Sequence, residues 1–210
     1  MLYTHMIRTA VLLGLFALIS NWLVAITFNA TEQPIAASEK RALLRNLHEL
    51  IPDKLHNNDI FTDVINVTDK SLLGIKKQAR VFRARLNERP VALVLESVAP
   101  DGYSGNIFLL IAVRYDGSLL GVRVSKHKET PGLGDAIEIA RSDWITGFNG
   151  KSLTNPEEKA WRVEKDGGEF DQFTGATITP RAIVKAVHRT LKYYQLNRDM
   201  LFADNSKQGS

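Results

Sequence analysis

Thr174, Thr177 and Thr179 lie close together with Gly175 and Ala176, between Asp171 and Pro180. An amphipathic run, 181–194, follows at once. Proline is favoured in the first helical turn and threonine is a good N-cap, so this loop is predicted to open a helix, with Thr179 as its cap. Unpaired N–H groups and the positive end of the helix dipole gather at such a point, which suits a phosphate. Gly175 and Ala176 leave the backbone open to close approach. An ordinary helix cap would use the same residue types. A catalytic threonine is not supported, because the loop carries no histidine or other base to take the hydroxyl proton.

Two further loops hold chemistry-bearing residues. Gly102-Tyr103-Ser104-Gly105 precedes a long apolar run, and His127-Lys128-Glu129-Thr130-Pro131-Gly132-Leu133-Gly134-Asp135 follows another. Glycine and proline make tight turns anywhere, so each loop alone is equally a turn or part of a site. Two phosphate motifs fail. Gly150-Lys151-Ser152 lacks a glycine five residues before the Gly-Lys pair, where Ile145 stands, so it is no P-loop. Gly132-Leu133-Gly134 is followed by Ile137 where a dinucleotide fingerprint needs glycine or alanine.

The order Asp171, Thr174-Gly175-Ala176-Thr177, Thr179 resembles the flavinylation motif of the FMN-binding domain family. In that family a dedicated transferase esterifies the second threonine with the phosphate of FMN, and the matching residue here is Thr177. An external transferase accounts for the missing base. The other two loops resemble the family's Gly-Tyr-Ser-Gly and His-x-Glu-Thr-Pro-Gly-Leu-Gly stretches, in the expected order. Over essentially the whole chain, the sequence is most similar to the G-subunit family of Rnf ion-translocating electron transport complexes. The C subunits of sodium-pumping NADH:quinone oxidoreductases are more distant relatives with a similar attachment motif.

The resemblance implies FMN held by a phosphoester to Thr177, with Thr174, Gly175 and Ala176 beside it. Tyr103, Glu129, Thr130, Gly132, Leu133 and Gly134 would line the ring, offering backbone polar groups for its edge and Leu133 for its face. It also implies a bacterial inner-membrane protein with its main domain in the periplasm. Partners would be the other membrane subunits of an Rnf-type complex and a flavin transferase. The protein would relay electrons between NADH and a ferredoxin-type partner, while other subunits move Na⁺ or H⁺. By itself it would be an electron carrier, not a catalyst. The rival class is an anchored periplasmic binding or assembly module without a redox group.

Positioning these loops requires an anchor and a domain. Residues 10–28 carry no charge and, as a helix at 1.5 Å per residue, span about 28 Å, close to the hydrocarbon core of a bilayer. A cleaved signal peptide would have a shorter apolar core and a small-x-small site, whereas Phe28-Asn29-Ala30 begins with a large residue. We therefore expect an uncleaved transmembrane helix at 10–28. Residues 1–9 would be cytoplasmic, 29–37 a tether, 38–196 the FMN-binding domain and 197–210 a tail. Arg8 on one side and Lys40, Arg41 and Arg45 on the other leave the positive-inside rule undecided, so orientation rests on the resemblance.

The chain has no cysteine, which excludes cysteine-ligated clusters, cysteinyl flavins and disulfides. Its histidines, at 5, 48, 56, 127 and 188, show no paired zinc spacing, and no metal site is expected. The formal charge is +4 with basic residues dispersed, so nucleic-acid binding is not expected.

Phe82, Ala84 and Leu86 alternate with Arg83 and Arg85, which predicts a strand with one wet face. Residues 91–98 predict another strand. The runs 107–115 and 119–124 flank Asp116-Gly117, a strong hairpin signal. Helices are expected at 38–51, 136–148 and 181–194, and a strand at 161–164. His127 and His188 are expected at solvated positions. The fold class is α+β: a single transmembrane helix, then one domain with a mainly antiparallel sheet and flanking helices.

Overall fold

The computed structural model describes residues 2–203. The chain divides into two compact units, Met1–Leu43 and Leu44–Ser210.

The first unit is helical. It belongs to α1, which runs over Leu2–Leu50. Among the described residues this is the one helix long and apolar enough to cross a membrane. The hydroxyls of Thr9, Thr27 and Thr31 donate back to the carbonyls of His5, Leu23 and Thr27 at 2.8–2.9 Å. The helix thus satisfies these hydroxyls internally. The expected tether, 29–37, is helical instead. Pro34 stands inside the helix, where it removes one backbone hydrogen bond, and no glycine reinforces the break. Ala30, Ala36 and Ala37 around it favour helix.

The second unit is built on a five-stranded antiparallel meander in sequential order. Its strands are β1 (Val64–Val67), β2 (Ala79–Leu86), β3 (Arg89–Gly102), β4 (Gly105–Arg114) and β5 (Leu119–Lys126). Asn87 and Glu88, both at positive φ, turn β2 into β3. Gly117, at φ +91°, turns β4 into β5, and the Asp116 carboxylate accepts the Ser118 N–H at 2.9 Å. The second helix, α2 (Ile178–Phe202), buries Ile183, Val184, Val187, Leu191 and Tyr194. These residues join Val81, Leu93, Leu95, Leu109 and Ile111 of the sheet in one core. By strand alternation Phe82, Val94 and Leu110 face the other way. On that side the end of α1 buries Leu47 and Leu50, and a Cβ at Gly121 of β5 would come within 3.1 Å of Leu50.

Several expectations are corrected. The wet face of β2 is not wet: Arg83 is 3% exposed. Its Nε donates to Asp63 Oδ1 at 2.6 Å and its Nη1 to the Ala203 carbonyl at 2.7 Å. The C-terminus of α2 arrives over this strand and its orphan carbonyls need donors. Residues 136–148 do not form a helix. They hold two short 3₁₀ turns, Gly134–Ile137 and Asp143–Phe148. Ser142 caps the second, accepting the Trp144 N–H at 3.0 Å, and so competes with a continuous helix. No strand forms at 161–164; Val163 makes one isolated bridge to Phe170 between two further 3₁₀ turns. At the expected tail, α2 continues to Phe202, because Leu201 and Phe202 are buried. Residues 204–210 lie outside the described residues.

Candidate functional site

The threonine loop owes its shape to a turn. Ala176 N–H donates to the Phe173 carbonyl at 3.2 Å, and Gly175 between them adopts φ +84°. That conformation is why glycine is needed here. Aromatic packing fixes the entry to the turn. The Phe173 and Trp144 ring centroids are 5.2 Å apart, and Trp144 Nε1–H donates to the Asp171 carbonyl at 2.9 Å.

Helix α2 starts earlier than expected. Thr177, not Thr179, is its N-cap, and the Thr177 side chain makes no capping bond. The Thr177 carbonyl accepts the Arg181 N–H at 3.4 Å, the first bond of the helix. Pro180 falls within the first turn, where its missing N–H would have no intrahelical partner anyway. Thr179 cannot cap, because its hydroxyl turns inward and donates to Glu129 Oε2. Thr177 is thereby left half-buried at the helix N-terminus with its hydroxyl outside the capping system.

The three loops meet at one cleft. Tyr103, Glu129, Thr130, Leu133, Gly134, Gly175, Ala176 and Thr177 line it, together with Ile178 and Thr179. Its volume is about 480 Å³, within the ordinary range of small-molecule sites. Two residues expected at the site do not line it. Thr174 is exposed and outside the lining. Gly132, at φ +78°, donates its N–H to Asp135 Oδ1 at 2.8 Å. Ile178 and Thr179 were missed as lining residues; their position directly after the attachment motif was the available signal. A larger concavity of about 740 Å³ lies beside Lys76, Lys77, Glu96 and Phe108, but it gathers none of the three loops.

The cleft has apolar walls and a polar floor. Tyr103, Leu133 and Ile178 are 69%, 49% and 45% exposed, unusual for such side chains and suited to a planar aromatic ligand. The floor is formed by the buried Glu129 and Thr179. Asp135, also buried, lies 3.5 Å from Arg141 Nε and does not line the cleft. These features fit FMN: an uncapped hydroxyl at a helix N-terminus for the phosphate end, apolar side chains for the ring.

His127 and His188 are part-buried rather than solvated. His127 Nε2 lies 2.6 Å from Glu138 Oε1, and its Nδ1 accepts the Glu129 N–H at 3.0 Å. His188 stacks on Trp161 at 5.2 Å with a 9° interplanar angle. Burial, reinforced by Lys192 and opposed by Glu158, holds its pKa below the ordinary value.

Comparison with known proteins adds the following. Residues 102–192 match the FMN-binding domain family and residues 1–50 match the RnfG N-terminal region. The G subunit of the ion-translocating oxidoreductase complex of Pseudomonas aeruginosa (strain UCBPP-PA14) is 48% identical over 97% of this chain and 95% of its own. That of Shewanella loihica is 47% identical over 93% and 92%. Among solved structures, the C subunit of the Na⁺-translocating NADH-quinone reductase from Parabacteroides distasonis aligns with a TM-score of 0.47 at 25% identity. That alignment covers 71% of this chain and 73% of the other.

Proposed function

The chain belongs to the G-subunit family of ion-translocating oxidoreductase complexes, and from that premise we propose that it is a membrane-anchored flavoprotein relaying electrons through FMN esterified to Thr177. The observation that carries the reading is the state of Thr177. It is the helix N-cap of α2, lines the cleft, and has a side chain that makes no capping bond. When bound, FMN supplies one- and two-electron chemistry.

The residues have distinct tasks. Thr177 Oγ1 would become the ester oxygen. The N–H groups of the first turn of α2 would face the phosphate, where the helix dipole favours negative charge. Gly175 gives the turn its positive φ and leaves the approach to Thr177 open. Tyr103, Leu133 and Ile178 would exclude water from the ring faces. A flavin transferase would install the group, which is why the site needs no base of its own. Covalent attachment suits a domain outside the cytoplasm, since a lost cofactor could not readily be recaptured there. The partners would be the other membrane subunits of an Rnf-type complex in the bacterial inner membrane, which would carry the ion.

The test is mass spectrometry on protein made alongside an active flavin transferase. Thr177→Ala is expected to be folded, colourless and free of a flavin adduct, and Thr177→Ser to retain partial labelling. FMN located on Thr174 or Thr179, or stoichiometric flavin in Thr177→Ala, refutes the assignment. A colourless wild-type protein under these conditions favours the binding or assembly module instead.

A further inference from the structure

Glu129 is the only carboxylate that touches all three loops of the cleft among the described residues, and its geometry differs from that of a ligand-binding group. It is 4% exposed. Its Oε1 accepts the Ser104 N–H at 3.0 Å, and its Oε2 accepts the Thr179 hydroxyl. Both oxygens are therefore engaged by neutral donors from segments 25 residues upstream and 50 residues downstream. Its own N–H donates to His127 Nδ1 at 3.0 Å. Because Nδ1 accepts that bond, the ring proton sits on Nε2 and donates to Glu138. The backbone of Glu129 is thus fixed as firmly as its side chain.

Two glycines make room for this carboxylate, Gly102 at the start of the first loop and Gly134 in the cleft lining. A Cβ at Gly102 would lie 3.0 Å from Glu129 Oε1, besides 2.3 Å from the Gly105 carbonyl oxygen. A Cβ at Gly134 would lie 3.0 Å from both Cβ and Oε2 of Glu129 and 3.2 Å from Thr179 Oγ1. Gly134 is small because a carboxylate is seated against it. Thr179, which local rules assign to helix capping, is diverted to the same carboxylate.

We propose that Glu129 is a positioning residue rather than a cofactor ligand: its carboxylate ties the 102–105, 127–135 and 174–180 loops together and so sets the width of the cleft between Tyr103, Leu133 and Thr177. The tie is a property of the chain itself. Its consequence for the flavin rests on the FMN reading above. Without the carboxylate, the Ser104 N–H and the Thr179 hydroxyl would be left under-satisfied, and both loops could move apart.

The experiment is hydrogen exchange followed by mass spectrometry on the full chain in detergent, made without the transferase and so flavin-free. In Glu129→Ala, exchange over 102–105 and over the first turn of α2 is expected to rise together, at least tenfold. The middle of α2, 183–191, should be unchanged. Glu129→Gln keeps an acceptor for Ser104 and a polar partner for Thr179, and should retain most protection. If Glu129→Ala does not fold, Thr179→Val carries the test: deleting one hydroxyl in α2 must raise exchange at 102–105. Unchanged exchange in either distant segment overturns the proposal.

In flavin-loaded protein compared at equal adduct mass, Glu129→Ala should alter the visible circular dichroism of the flavin and shift its midpoint potential. Glu129→Gln should largely restore both. Wild-type values in Glu129→Ala also overturn the proposal. Absence of an adduct in the wild-type chain would instead refute the FMN reading, and the exchange experiment would still decide the tie.

Discussion

His188 shows how one side chain can carry a pH dependence into a domain whose candidate site lies elsewhere. Its imidazole is packed against Trp161, and Lys192 stands one turn further along α2, paired to Glu158 at 2.5 Å. Burial and the lysine hold the folded-state pKa below the ordinary 6.5, with Glu158 pulling the other way. The neutral ring is therefore the folded form, while the unfolded chain takes up a proton near pH 6.5. Where the unfolded state binds more protons, stability rises with pH. This site's contribution is present above pH 6.5 and is lost as pH falls through the folded pKa. NMR titration should place His188 below 6.5, and Lys192→Ala should move it upward. A midpoint at or above 6.5 would contradict the packing argument. His188→Gln should flatten the fall in melting temperature between pH 7.5 and pH 5.

At the scale of elements, the C-terminus of α2 is secured by the sheet. Arg83 and Arg85 of β2 donate to the carbonyls of Ala203 and Phe202 at 2.7 and 2.9 Å. Asp63, just before β1, accepts from the Nε of both, at 2.6 and 2.9 Å. Cations at the last carbonyls of a helix also complement its dipole. The carboxylate compensates the buried guanidinium of Arg83, and removing one partner of a buried pair costs about 3–5 kcal/mol. Since Asp63 keeps some contact with water, the lower end is expected for Asp63→Ala, about 3 kcal/mol. Denaturant unfolding of the detergent-solubilised chain measures it, and a loss under about 1 kcal/mol would mean that other donors and acceptors hold the helix end. At the opposite end of α2, Thr179 and Glu129 link the first turn to the sheet loops. The helix is thus tied at both ends, and its apolar face fills the space between.

For the whole molecule, the question is which side of the membrane holds the domain. The apolar stretch 10–28 is bounded by Arg8 before it and by Lys40, Arg41 and Arg45 beyond it, so charge alone does not orient it. If the flavin relay operates outside the cytoplasm, protease added to spheroplasts should digest the domain that follows about residue 31 and spare the anchor, since the hydrocarbon core of about 30 Å shields the span. Protection of the domain until the inner membrane is lysed would reverse the orientation. Intact mass of the membrane-extracted protein should include residues 1–28, because the span is longer than the apolar core of a signal peptide and Phe28-Asn29-Ala30 at its end begins with a large residue.

What the sequence determined by itself is what depends on neighbours in sequence. Strands β2 to β5 were legible from their apolar and alternating runs and from Asp116-Gly117, because a tight turn demands residues that accept positive φ; the short β1, in a polar stretch, was not. The apolar stripe of α2 was legible because Ile183, Val184, Val187, Leu191 and Tyr194 recur at helical spacing. The apolar span needed only length and lack of charge. The three loops were legible as motifs, and so was Thr177 as the residue to watch. What only the tertiary structure decided is which group each polar side chain meets. Thr179 looked like a cap until Glu129, 50 residues away, took its hydroxyl and left Thr177 at the helix start. Arg83 looked solvated until Ala203, 120 residues away, placed a carbonyl over it. The helix expected over 136–148 gave way to two short turns, because Ser142 capped the chain midway while Ile137, Ile145 and Phe148 were drawn into the core. Backbone conformation follows largely from local sterics, whereas a buried polar group takes whichever partner the packed fold brings within about 3 Å, and that choice is made only after the chain has closed on itself.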